Sequence, residues 1–265
     1  MSPESEEVNL WRSRVRTAAG EGLSRIALWA PLPKEALDGE YERIYFYHVR
    51  KTAGTSISMA FFSLSGEDPR KVERRLFLTS FVRSGGYRFV EHNAQLIQGG
   101  RYFYGVSHLP SYVARPPAEG TFTFTVLRDP VWRVVSLYRY LRSADADKGL
   151  AFGAPAAERA WAQGSFTEFL DCAPREHLLR QLYTFSPTGS VAETVDEIGK
   201  LSLVMRTESL AEGIASLEQM TALRLDVGHE RASSESGVIP DAELDQARTL
   251  LAPEYEILEQ LGREG

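Results

Sequence analysis

Residues 44–56 read Ile-Tyr-Phe-Tyr-His-Val-Arg-Lys-Thr-Ala-Gly-Thr-Ser, and the change of character within them decides the fold. Residues 44–49 are a short apolar and aromatic run of the kind found in buried strands. It passes directly into a polar turn, Arg50 to Ser56. Beyond it, Ile57, Met59, Ala60, Phe61 and Leu64 suit a helix capped by Thr55 or Ser56. A second strand–turn–helix unit begins at Thr121. Phe122 to Leu127 is β-rich, Arg128-Asp129 forms the turn, and Pro130 occupies the first helical position, where its missing N–H costs nothing. Val131, Val134, Val135, Leu137, Tyr138 and Leu141 then repeat on one broad face.

Tyr87–Val90, Tyr102–Val106 and Leu201–Met205 are further candidate strands, the last preceding a helix from about Ser209 to Leu223. Strands alternating with helices predict an α/β fold, a central and mainly parallel sheet flanked by helices. Residues 143–165 and 228–239 read as loops, and Pro240 opens a C-terminal helical stretch with a break at Pro253. No repeat or linker divides the chain. The expected organisation is an N-terminal helical arm over 1–40 and one domain over 41–265.

Composition narrows the function. The 265 residues are 43% hydrophobic and 25% charged, as in soluble globular proteins. The single cysteine, Cys172, excludes an internal disulfide, and no Cys/His cluster has metal-ligand spacing. No apolar run reaches the length of a membrane span, and charges interrupt any signal-peptide core in the first thirty residues. The chain is expected to be cytoplasmic. A net charge of −6 argues against a broad nucleic-acid surface while leaving room for a local basic pocket.

The turn at 51–56 has the chemistry of such a pocket. A strand feeding a helix N-terminus gathers N–H groups at the positive end of the helix dipole. Gly54 lets backbone approach an anion, three hydroxyls donate, and Lys51 supplies a mobile charge. The competing reading of the segment alone is a solvated turn with an ordinary cap. Nor is it the usual nucleotide loop G-x-x-x-x-G-K-[ST], because here lysine precedes glycine.

Taken together, the two units resemble a known family. His48-Val-Arg-Lys-Thr-Ala-Gly-Thr-Ser56 is similar to the 5′-phosphosulfate loop of sulfotransferases, in the H-[IV]-P-K-T-[GA]-G-T-S form of the carbohydrate-type branch with its heparan, uronyl and chondroitin members. Thr125-Val-Leu-Arg-Asp-Pro-Val-Trp-Arg-Val-Val-Ser136 resembles the same family's 3′-phosphate motif, about 75 residues later. Arg50 departs from the pattern by standing where proline is usual.

The resemblance implies a P-loop-like sulfotransferase fold and the donor 3′-phosphoadenosine 5′-phosphosulfate, with 3′,5′-ADP as product and no metal. It implies that Lys51, Thr52, Ala53, Gly54, Thr55 and Ser56 hold the 5′-phosphosulfate, and that Arg128 and Ser136 hold the 3′-phosphate. Arg231, in the serine-rich 228–239 loop, is expected to be a further anion contact. Lys51 would neutralise the leaving phosphate, and His108, after the Tyr102–Val106 strand, would deprotonate the acceptor. Glu91 with His92, and Glu67, are rival bases. The acceptor is expected to be a small molecule, glycoside or lipid hydroxyl. Two other classes stay open at this point: a magnesium-dependent nucleotide phosphotransferase and a non-catalytic anion-binding module.

Overall fold

The computed structural model describes residues 37, 41–113, 118–143, 154–228 and 238–263. The N-terminal arm lies outside them apart from Leu37, and so does Arg231. In chain order the elements are β1 (Arg43–Tyr47), α1 (Gly54–Ser63), α2 (Pro69–Thr79), β2 (Phe81–Ser84), β3 (Tyr87–Glu91), α3 (Ala94–Gln98), β4 (Tyr104–Ser107), β5 (Thr121–Leu127) and α4 (Pro130–Arg142). There follow α5 (Ala156–Trp161), α6 (Phe166–Cys172), α7 (Arg175–Leu178), α8 (Arg180–Phe185), α9 (Val191–Gly199), β6 (Leu203–Arg206), α10 (Leu210–Thr221), α11 (Asp241–Leu250) and α12 (Ala252–Arg263).

One six-stranded sheet runs β2-β3-β4-β1-β5-β6, parallel except for the β2–β3 hairpin at its edge. All five residues of β1 are buried, as expected of a strand with parallel neighbours on both sides and helices on both faces. Its side chains alternate. Ile44 and Phe46 enter one core with α1, α2 and α10, whereas Tyr45 and Tyr47 enter the other with α4, α6, α9 and α12. Phe46 stacks flat on Phe124 of β5 at 4.5 Å, so the aromatic run binds neighbouring strands as well as layers.

Register is what places the site. Tyr47 pairs with Ser107 of β4 and Thr125 of β5, Glu91 of β3 pairs with Val106, and Leu127 pairs with Arg206 of β6. Five parallel strands therefore end near one edge, and the turns after them converge where open α/β sheets bind ligands.

Three local details differ from expectation. β2 was not foreseen, although Gly85 and Gly86, both at positive φ (54° and 88°), form the two-residue connection that a tight hairpin favours. Ala-rich residues inside the expected 143–165 loop form α5, consistent with their high helix propensity. The C-terminal break falls at Leu251, and Pro253 sits in the first turn of α12, where proline is tolerated. No helix among the described residues is long and apolar enough to cross a membrane.

Candidate active site

The turn between β1 and α1 is built on two non-glycine residues in the left-handed region, Lys51 at φ 72° and Ala53 at φ 65°. Such backbone costs of order 1 kcal/mol or more per residue, so the surroundings must enforce it. Thr52 supplies one restraint: its buried hydroxyl donates to the Val49 carbonyl at 2.8 Å. That hydroxyl is therefore committed beneath the turn, and Thr52 does not line the cavity. Ala53 is the N-cap of α1 and has no capping side chain, in place of the expected Thr55 or Ser56 cap. Thr55 and Ser56 lie inside the first helical turn and face the cavity with Ala53 and Gly54. First-turn N–H groups have no carbonyl partner within their own helix, so an uncapped start suits an anion.

Gly54 has a second reason to lack a side chain. A Cβ there would fall 1.9 Å from His48 Nε2. The imidazole lies against the helix start and stacks on Phe46 at 5.0 Å. Burial, aided by His92, Arg50 and Lys51, pushes its pKa down to about 3.

The β5–α4 turn meets this loop directly. Arg128 Nη1 donates to the Lys51 carbonyl at 3.2 Å. Ser136, two turns into α4, lines the same cavity, and Lys51 Nζ sits 4.2 Å from the ring centre of Tyr140 one turn further on. Asp129 is engaged elsewhere: Oδ1 caps α4 by accepting the Trp132 N–H at 2.9 Å, and Oδ2 accepts from Tyr255 at 3.0 Å. Arg133 points away from Arg128, fully buried beside Glu254.

The β4 turn carries His108. Its Nδ1 is 2.7 Å from the His48 carbonyl oxygen, which can only accept. Nδ1 therefore bears the proton and Nε2 keeps its lone pair. Burial, reinforced by His48 and His92, holds this pKa well below the ordinary 6.5, so the ring is neutral near pH 7. His92 Nδ1 accepts the His108 backbone N–H at 3.4 Å, and its Nε2 lies 3.3 Å from Glu91 Oε1. Rings 48, 92 and 108 form a contiguous group, with centroids 4.2 Å (48–108) and 5.3 Å (92–108) apart.

These groups open onto one cavity of about 1010 Å³, which brings together Lys51, Ala53, Gly54, Thr55, Ser56, His108, Arg128 and Ser136. Glu91 and His92 reach it too. Glu67 does not: it bonds Arg75 and Ser84, each at 2.6 Å. One wall is apolar, from Leu210, Ile214, Leu225 and Val227. Another carries Arg50, paired with Glu158 at 2.8 Å, beside His177 and Arg180. Trp161 packs edge-on against His177 behind that wall.

Sequence reading missed Gln181, which bonds both backbone groups of Arg128, and Glu254, which in turn holds Gln181. Residues 178–182 read Leu-Leu-Arg-Gln-Leu and carry no signal of that contact. The arrangement can hold two anionic groups at once and remove a proton between them.

A family model described as "Sulfotransferase family" matches residues 36–238, more than half of the chain. No curated protein matches it.

Proposed function

The chain belongs to the sulfotransferase family, and from that premise we propose that it moves a sulfuryl group from 3′-phosphoadenosine 5′-phosphosulfate to a hydroxyl of a small-molecule, glycoside or lipid acceptor. One observation carries the reading. The Lys51 turn and the Arg128–Ser136 pair, which the resemblance assigns to opposite ends of one bisphosphorylated nucleotide, are bonded to each other and share a cavity. Its size, about 1010 Å³, suits a nucleotide together with a small acceptor. The residues present fit the donor: an uncapped helix start and a lysine for the 5′ end, a guanidinium and a hydroxyl for the 3′ end.

The donor supplies an activated sulfuryl group whose transfer needs an in-line approach and a stabilised leaving phosphate. The backbone of residues 53–56 and the hydroxyls of Thr55 and Ser56 would orient the 5′-phosphate. Lys51 would neutralise charge on the departing bridging oxygen. Arg128 would distinguish a 3′-phosphate from a free 3′-hydroxyl by paired donation. His108 would take the acceptor proton at Nε2, while the His48 carbonyl, bonded to Nδ1, favours the imidazolium that results. Arg50 also fits the carbohydrate-type branch despite replacing proline, because its ion pair with Glu158 restrains the turn that proline would stiffen.

Thermal shift tests the donor. Expected is a rise in melting temperature with 3′,5′-ADP in the absence of magnesium, and little change with ATP and magnesium. The reverse ranking overturns the proposal in favour of a phosphotransferase.

A further inference from the structure

A buried line of polar groups runs from Arg128 to the last helix. Gln181 Oε1 accepts the Arg128 backbone N–H at 2.8 Å, and Gln181 Nε2 returns a bond to the Arg128 carbonyl at 3.1 Å. The same Nε2 donates to Glu254 Oε2 at 2.9 Å, while Glu254 Oε1 accepts the Gln181 backbone N–H at 2.6 Å. Gln181 is 1% exposed and Glu254 0%. The neighbouring residue, Tyr255, donates to Asp129. Helix α12 thus reaches both residues of the β5–α4 turn, one through Gln181 and the other directly.

Polarity makes this more than packing. A carboxylate only accepts, so Glu254 forces the NH₂ of Gln181 to face it. That choice turns the Gln181 carbonyl toward the Arg128 N–H. Both backbone groups of Arg128 are then fixed, and with them the direction in which its guanidinium leaves the turn. Arg133, 3.6 Å from Glu254 and fully buried, balances the carboxylate charge without touching the cavity.

We propose that Gln181 and Glu254 are positioning residues that aim Arg128 at the nucleotide's 3′-phosphate, so that selectivity for that phosphate depends on a helix beyond residue 238, where the family match ends. The inference rests on the assignment of Arg128 to the 3′-phosphate given above.

The test is calorimetric titration of the full chain with 3′,5′-ADP and with 5′-AMP, which lacks the 3′-phosphate, after circular dichroism has established folding. For Glu254→Gln, the new amide can donate to Gln181 and flip it, setting a donor against the Arg128 N–H. Expected for Glu254→Gln and for Gln181→Met is a loss of about tenfold or more in 3′,5′-ADP affinity, with 5′-AMP affinity changed by about twofold or less. Equal weakening of both nucleotides, or of neither, overturns the clamp. If Gln181→Met does not fold, Glu254→Gln, which keeps size and shape, decides alone. If the unaltered chain does not prefer 3′,5′-ADP to 5′-AMP, the assignment of Arg128 falls first and the clamp with it.

Discussion

Arg128 Nη1 bonds the backbone carbonyl of Lys51 at 3.2 Å, across 77 positions of sequence. The contact ties the β1–α1 turn to the β5–α4 turn. It also leaves the rest of the guanidinium fork for a ligand, and lysine cannot do both tasks.

Arg128→Lys is therefore expected to keep the charge yet weaken 3′,5′-ADP by about tenfold or more, since hydrogen bonds to charged groups contribute about 1.5–3 kcal/mol. Calorimetry checks this. Unchanged affinity would show that the charge alone suffices and that the fork geometry is irrelevant.

Lys51 has a different task. Its ammonium rests over the Tyr140 ring, and the proposed chemistry needs it at the leaving oxygen. Lys51→Ala should lower kcat by about 10²-fold or more, with a much smaller change in donor KM, because the charge it meets develops during transfer. Steady-state kinetics with 3′-phosphoadenosine 5′-phosphosulfate would show it. A variant with full kcat and raised KM would recast Lys51 as a binding group only.

Gly54 and His48 compete for one volume. Gly54→Ala would drive a methyl into the imidazole, 1.9 Å from Nε2, and should destabilise the fold by about 1–3 kcal/mol. In a His48→Ala background the same change should cost far less, a coupling that a double-mutant cycle in urea measures. Additive effects would mean that the ring does not occupy that space.

Much of this was legible beforehand. The run 44–49 announced a buried strand through unbroken apolarity, and Pro130 after Asp129 announced a helix start through its missing N–H. The resemblance of the two turns to one family's motifs, read with the place of His108 after a candidate strand, was what assigned Lys51, Arg128, Ser136 and His108 to one site. What stayed hidden was whatever depends on partners far away in sequence. Thr52 resembles a phosphate ligand until its hydroxyl is found on Val49. Gly54 resembles an anion contact until His48 is found beside it. The roles of Gln181 and Glu254 arise only when α8 and α12 meet beneath the β5 turn, and single-residue chemistry carries no trace of that meeting.

Two half-buried histidines of the cavity set an acid limit to stability. In the folded chain His48 titrates at about 3 and His108 well below 6.5, whereas both return to about 6.5 on unfolding. Between those values the unfolded chain binds more protons, so stability falls as pH falls. Their contribution is intact above pH 6.5 and is lost progressively toward pH 3. The urea midpoint should drop between pH 7.5 and pH 5, and less steeply in His48→Asn. Identical slopes in the two proteins would place the acid sensitivity elsewhere.

On the proposed mechanism the same titration sets the pH profile of catalysis. His108 serves as a base only while Nε2 is unprotonated, and its depressed pKa keeps it so through the neutral range. On the free enzyme, kcat/KM for the acceptor should be level from about pH 8 down to 6.5 and decline only at lower pH, when the imidazolium forms. His108→Ala should cost about 10²-fold or more in kcat and abolish that acid limb. Glu91 and His92 offer a rival route, since both face the cavity and lie 3.3 Å apart at their nearest atoms. The profile separates the two. If His108→Ala keeps the limb and most of the rate, while His92→Ala loses both, the proton leaves through the 91–92 pair and the bond from His108 to the His48 carbonyl is only a brace for the turn.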